Sequence, residues 1–327
     1  MALDIGGSVA IKGFNYQNAV AIFIMINNYN NTTFEIFLEH EEDINVLVDN
    51  FNILVQAKSN TQTLHKISKK NNKSVAILDK LWAKDSQGLK NRYKIACVNF
   101  SAINNVSATK GCVIPDYLYS LENIVKSSKD FNPDKIANKE KLPHTYIFIT
   151  PFKDDYHIQL DYLIAAMVRN NIKVDNGLAM SIINELFNLC QSTAEIRTDK
   201  VNNEFAINKK RIDANKLKTI FDKSKNHNLL IEECKKIRVS ISNNLNDILN
   251  RKIEHCIDTK IDSLINSYEK EISNKIGQFN IPEDYYEGIK LLIDKIGKTP
   301  LKEEEQYTII IILMAKQIIK EFGIDDN

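Results

Sequence analysis

The stretch 34–59, FEIFLEHEEDINVLVDNFNILVQAKS, constrains the fold more than any other part of the chain. It reads as strand, acidic turn, strand, tight turn at Asp49 and Asn50, strand. Residues 44–48 and 51–58 are rich in β-branched and apolar types, and the Asp-Asn pair between them is hairpin chemistry. Side chains alternate along a strand, so Leu54, Gln56 and Lys58 share one face while Ile53, Val55 and Ala57 share the other. In the preceding strand Asp43, Asn45 and Leu47 share a face, opposite Ile44, Val46 and Val48. An antiparallel pair of this kind can set Asp43, Gln56 and Lys58 on one surface, with an apolar surface behind them.

The rest of the chain arranges itself around this meander. Asn15, in the run GFNYQ at 13–17, is placed to cap a helix to about residue 28. Tyr16, Ala19, Val20, Phe23, Ile24 and Ile26 supply its apolar faces, and Gln17 falls in its first turn. A helix is expected over 75–82, with Trp82 as a core anchor, then a strand over 92–100 and a short helix over 118–126. The apolar run 146–150, ended by Pro151, suits a buried strand. Helices follow at 156–169, 177–190 and 214–223, the last capped by Asp213. Beyond Asn228 nothing reads as strand, and helices are expected over 229–250, 251–275, 282–296 and 302–322. The reading is an α/β domain over 1–225, a mixed sheet flanked by helices, and an all-helical region over 226–327. The boundary is set in the polar run 224–228.

Charge and motif content narrow the chemistry. The formal net charge of +1 excludes a uniformly basic DNA-binding protein. Residues 58–94, however, hold ten Lys or Arg against only Asp79 and Asp85, a local surplus that directly follows the polar hairpin. The five cysteines are scattered without CxxC pairing, as expected for reduced thiols in a cytoplasmic protein. The six histidines show no HxxxH or HxH spacing, which argues against zinc. No GxxxxGK[ST] loop is present and no GxGxxG follows a strand, so ATP binding by this chain is not expected. The longest apolar run, 308–315, is far too short to span a bilayer, and no membrane partner is expected.

Cleaving a phosphodiester calls for a divalent cation that polarises the phosphate and lowers the pKa of the attacking water. Mg²⁺ takes oxygen ligands and keeps several waters, so one or two carboxylates plus carbonyls suffice. A lysine nearby can orient water or neutralise the charge that builds on the phosphate. An Asp at a strand start, followed thirteen residues later by Gln-x-Lys on the next strand, supplies these parts. Gln56 offers a side-chain oxygen, and the Ala57 carbonyl lies between it and Lys58. The plain structural alternative is a half-buried meander in which Asp43 caps a turn and Lys58 is solvated.

The arrangement resembles the PD-(D/E)xK nuclease superfamily, in the variant where glutamine replaces the acidic residue before x-Lys. More narrowly, GFNYQ at 13–17, E-x-x-E-D at 39–43 and QAKS at 56–59 resemble the double-strand-DNA endonuclease domain of bacterial anti-phage systems. That domain occurs in CBASS effectors and in the nuclease subunit of Lamassu-type, SMC-linked systems. The motifs cover residues 10–60, and element order extends the likeness to about 220. The resemblance implies a restriction-endonuclease-like fold and a metal-dependent DNA endonuclease with Mg²⁺ or Mn²⁺. It implies Asp43 as metal carboxylate, Gln56 as the variant ligand position, Lys58 as catalytic lysine, Glu39 as a second acidic position and Gln17 as a helix-borne group completing the site. Glu41, Glu42 and Asp43 are adjacent, so the ligand is left among them; Glu41 shares Asp43's parity if the strand starts early. Lys66, Lys69, Lys70 and Lys73 are the expected phosphate contacts.

The helical tail is too short and too helical for the strand-containing SAVED sensor of CBASS effectors, so cyclic-oligonucleotide binding is not expected. Apolar stripes such as Leu245, Ile248, Leu249, Ile253, Ile261, Leu264 and Ile265 suggest an interaction surface or, equally, a subdomain packed on its own nuclease. The functional expectation is an endonuclease on double-stranded DNA, controlled by homo-oligomeric assembly, with an SMC-like ATPase as partner. Its alternative is a non-catalytic nucleic-acid-binding or adaptor module on a degenerate nuclease fold. An RNA- or nucleotide-directed nuclease is a third reading.

Overall fold

Residues 19–26, AVAIFIMI, are all fully buried, a run apolar on every side that a helix can hold only when other elements surround it. They form the last third of helix α1 (Gly6–Asn27), which lies at the centre of the larger core. The computed structural model describes residues 6–321 apart from 40–41, 70–74, 87, 102, 104–105, 112, 114–116, 154, 173, 197–207, 242–247, 250, 254–255, 258–271, 276–278 and 280–283. For 6–10, 117, 135 and 223–228 it describes the backbone alone.

The hairpin expected from Asp49 and Asn50 joins β2 (Ile44–Val48) to β3 (Phe51–Lys58). Asp49 takes a left-handed φ of 49°, which a short polar side chain tolerates, and Thr33 fixes it with a 2.7 Å hydrogen bond to Oδ1. The other strands are β1 (Glu35–Leu38), β4 (Lys90–Cys97), β5 (Thr109–Lys110), β6 (Tyr117–Ser120), β7 (Thr145–Ile149) and β8 (Arg211–Asp213). They form one mixed eight-stranded sheet in the order β5-β6-β7-β4-β3-β2-β1-β8. β3, β4 and β7 run parallel, and the other neighbours are antiparallel. Lys58 is in register with Cys97 and Cys97 with Ile149, so the carboxyl ends of the three parallel strands finish level.

Both faces of the sheet are covered. Ile44, Val46, Ile53 and Val55 pack with α1, α5 (Tyr156–Arg169) and α6 (Asn176–Ala194). Leu54, Tyr93 and Ile95 pack on the other side with α2 (Leu64–Ser68), α3 (Ile77–Trp82) and α4 (Leu121–Ser127). The alternation in β3 therefore separates two cores rather than a core from solvent. This is the pattern of a strand buried on both faces, and the polar residues concentrate at its carboxyl end. Trp82 anchors the second core, with Nε1 donating to Thr145 Oγ1 at 3.0 Å.

Three local readings differ from the structure. α1 begins at Gly6, so Asn15 lies inside it and caps nothing; the helix runs on N-terminally through residues 11–15, where Ile11 and Phe14 are exposed. The helix expected from 118 starts at Leu121, because β6 claims 117–120 and the Ser120 hydroxyl then caps α4 through Asn123 N–H. The helices expected over 214–223 and from 229 are one helix, α7 (Ala214–Val239), which runs through the polar stretch 224–228.

Contacts divide the chain into two compact units, 1–221 and 222–327. The second holds α8 (Tyr285–Ile296) and α9 (Glu303–Glu321) and has no strand among the described residues. Its core is built from Ile289, Leu292 and Ile309–Ile312, with Leu249 and Ile253 buried in it and Ile248 39% exposed. The remaining stripe residues, Leu245, Ile261, Leu264 and Ile265, lie outside the described residues. Among the described residues no helix is long and apolar enough to cross a membrane.

Candidate active site

The acidic turn and the end of β3 meet because of strand register. Ile44 pairs with Val55, and one step further the same register sets Asp43 opposite Gln56. Asp43 Oδ2 accepts hydrogen bonds from Gln56 Nε2 and, at 3.0 Å, from the Ala57 N–H. Lys58 Nζ stands 3.8 Å from the same oxygen. Gln56 is 2% exposed, whereas Lys58, at the last position of β3, reaches solvent. One carboxylate thus draws together an amide, a backbone donor and an ammonium at an edge open on one side.

A second layer holds the turn in place. Gln17, projecting from α1, donates through Nε2 to Glu39 Oε1 at 2.7 Å and to the Asp43 carbonyl at 3.2 Å. That carbonyl also receives the Glu39 N–H at 3.1 Å, closing the β1–β2 turn. Glu39 itself has a φ of 49°, a left-handed conformation seldom taken by a non-glycine residue. Lys210, 3% exposed, donates from Nζ to the Glu39 carbonyl at 2.7 Å. Burial pulls the pKa of this lysine down, while the nearby Glu39 charge opposes the fall.

The three adjacent acids divide by direction. Glu42 is 3% exposed and turns to α3, where Lys80 Nζ lies 3.2 Å from its Oε2. Burial raises its pKa above the ordinary carboxylate value, against the pull of Lys80. Asp43 faces Lys58. Glu41 lies outside the described residues.

Lys66 and Lys69, on and just after α2, are exposed, and Lys66 Nζ donates to the Thr61 carbonyl at 2.9 Å. Lys70 and Lys73 lie outside the described residues. Part of the local basic surplus is structural: Lys80 neutralises Glu42, Lys90 and Arg92 lie over the Phe51 ring, and Lys94 is 5% exposed. Cys97, level with Lys58 on the next strand, has its thiol pushed up to about 12 by burial, against a hydrogen bond from Asn99. A thiol held protonated in this way is no nucleophile.

Sequence reasoning missed Lys80, Lys210 and the Ala57 N–H. Lys80 lies in a segment already read as basic, and the N–H follows from the hairpin register. Nothing local marks Lys210.

Among the described residues no group of three His, Cys, Asp or Glu is close enough to hold a metal ion. The acidic turn offers the carboxylates of Asp43 and Glu39, and β3 offers the Gln56 amide and the Ala57 carbonyl. Such donors are all oxygen or amide, the type a hard divalent cation takes while keeping several waters.

A family model for the Cap4 dsDNA endonuclease domain matches residues 5–190, ending short of the 220 expected from element order. The Lamassu protein LmuA of a Bacillus species is 28% identical over 221 residues, which cover 67% of this chain and 69% of that protein. Two structures of the Acinetobacter baumannii Cap4 SAVED/CARF-domain containing receptor, one with 3'3'3'-cAAA and one with 2'3'3'-cAAA, align with a TM-score of 0.42 and 12% identity. That alignment covers 65% of this chain, which spans only 44% of the receptor's length. The family match takes in more than half of the sequence and contains every residue of the acidic turn and of β3, and the chain belongs to the Cap4 dsDNA endonuclease domain family.

Proposed function

We propose that the chain is a metal-dependent endonuclease that cuts double-stranded DNA as an effector of bacterial anti-phage defence. The observation that carries this reading is the convergence of Gln56, the Ala57 N–H and Lys58 on one oxygen of Asp43. In the proposed reaction Asp43, the Gln56 side-chain oxygen, the Ala57 carbonyl and Glu39 would hold Mg²⁺ or Mn²⁺. The ion supplies polarisation of the phosphate and a water of lowered pKa. Lys58, at the exposed end of β3, sets its ammonium against the phosphate oxygens as charge builds there and orients the attacking water. Gln17 and Lys210 fix the turn that carries Glu39 and Asp43. The exposed Lys66 and Lys69 extend a cationic surface for the duplex backbone.

Likeness to a Lamassu protein supports a place in a multi-subunit defence complex, with an SMC-like ATPase as the proposed partner. Cutting both strands takes two active sites, which supports a homo-oligomeric active form. The helical second unit, which lies beyond the family match, is the proposed regulatory part.

A second reading has its own observation. Asp43 Oδ2 is already satisfied by donors from within the chain, as in a degenerate nuclease that binds nucleic acid without cutting. Supercoiled plasmid incubated with the purified chain and Mg²⁺, at concentrations that permit assembly, separates the two. Wild type is expected to linearise plasmid and to stop when EDTA is added, and Asp43→Ala and Lys58→Ala are expected to lose at least about 10²-fold in rate. Equal cutting by either variant overturns the site; DNA binding that persists in EDTA without any cleavage supports the second reading.

A further inference from the structure

Outside the Asp43 cluster, the first unit has a solvent-open cavity of about 360 Å³ lined by Lys12, Asn15, Asp155, Tyr156, His157 and Gln159. Its position follows from topology. α5 starts seven residues after Ile149, and Ile149 is level with Cys97 and Lys58 at the carboxyl ends of the parallel strands. Two strand spacings, about 10 Å, separate Ile149 from Lys58. The other wall is α1, which reaches the Asp43 turn through Gln17, two residues after Asn15. The cavity therefore lies toward the carboxyl-end edge of the sheet, where open parallel sheets bind ligands, and shares α1 with the Asp43 turn.

Its chemistry is that of a nucleotide site. Gln159 is 1% exposed; its Nε2 donates to the Lys153 carbonyl at 3.0 Å, and its buried Oε1 has no partner. A buried acceptor left in this state can take an N–H from a bound ligand. Tyr156, 42% exposed, offers a ring steadied by Phe187 at 5.8 Å between centroids. Lys12 and His157 add cationic or hydrogen-bonding groups at the rim. Asp155 caps α5, its Oδ1 accepting from the His157 and Ile158 N–H groups, and its charge directs any phosphate to the Lys12 and His157 side of the rim. An N–H donor, a flat π-face and an anion together describe a nucleobase with its phosphate.

We propose that this cavity is a nucleotide subsite that takes one base of the substrate strand out of its stack, with the base face on Tyr156 and a base N–H on Gln159 Oε1. The proposal rests on the nucleic-acid reading of the Asp43 cluster. Extruding a base costs least where it is already unpaired, so DNA with an unpaired base should be preferred over a perfect duplex.

The test uses the full chain in EDTA, so that nothing is cut, and fluorescent duplexes that are fully paired, carry one unpaired base, or carry an abasic site at that position. Wild type is expected to bind the unpaired-base duplex about tenfold more tightly than the abasic one, the scale of one base–aromatic stack. Tyr156→Ala and Gln159→Met should reduce that difference, and Tyr156→Phe should keep it. Equal binding of the unpaired-base and abasic duplexes by wild type overturns the subsite and needs no variant to fold. Normal plasmid cleavage alongside that result leaves the nuclease reading standing. Absence of both binding and cleavage removes both.

Discussion

Lys210 donates a 2.7 Å hydrogen bond from Nζ to the backbone carbonyl of Glu39, joining residues 171 positions apart in sequence. The bond holds a glutamate in left-handed backbone, and the same glutamate receives Gln17 on its side chain. Sparsely populated backbone of this kind persists where surrounding groups over-determine it, and Lys210 is one such group. Lys210→Met is expected to lower stability by about 1 kcal/mol, the scale of one part-buried hydrogen bond. Because Glu39 belongs to the proposed cation set, the variant should also need more Mn²⁺ for half-maximal cleavage. A fall in melting temperature with an unchanged metal requirement would limit Lys210 to a structural role.

Gln17 links α1 to the acidic turn through two bonds from one nitrogen. Gln17→Leu keeps the volume and removes both. Stability should fall by about 1 kcal/mol, and plasmid cleavage should fall by more than that loss of folded protein explains. Gln17→Glu should do worse, since it sets a second carboxylate against Glu39. Circular-dichroism melts run beside cleavage rates separate the two effects. Cleavage by Gln17→Leu at the wild-type rate would remove Gln17 from the site.

How much of this was legible in sequence depends on range. The hairpin could be read because turn chemistry at Asp49 and alternation through Lys58 are local, and register then carries Asp43 to Gln56. The direction in which Glu42 turns could not, because it rests on Lys80 approaching from α3. β5 and β8, of two and three residues, are too short to show any period, and they exist because neighbouring strands template them. Lys210 was invisible for the reason that makes it informative: its partner is set by the pairing of β8 with β1 and by nothing in its own neighbourhood.

Glu42 gives a pH-dependent test. Burial raises its pKa, so the native state holds this proton more tightly than the unfolded chain does. That contribution to stability is fully present below the ordinary carboxylate value of 4.5 and is lost as pH rises through the raised value. The melting temperature of wild type relative to Glu42→Gln should therefore decline as pH climbs from 4.5 through that value, then level off. Lys80→Met removes the opposing charge and should move the decline to higher pH. A wild-type curve parallel to that of Glu42→Gln across the window contradicts the assignment.

The last prediction concerns the glutamine in the metal position. Gln56 now donates to Asp43, and Gln56→Glu would replace that donor with a second carboxylate on the opposing residue. Without a cation two such groups repel, so the metal-free variant should melt lower than wild type by several degrees, the scale of about 1 kcal/mol in a domain of this size. With a cation the same pair becomes the better ligand set. Ligand binding to the native state stabilises it by RT ln(1 + [L]/Kd), so Mn²⁺ should raise the melting temperature of Gln56→Glu more than that of wild type. The rise should disappear in the double variant with Asp43→Asn. The test reads binding through stability rather than turnover, so it reports on the cation site even if cleavage requires a partner subunit. If Mn²⁺ shifts wild type and Gln56→Glu equally, Asp43 and position 56 do not share a cation, and the ligand set must be sought elsewhere on the turn.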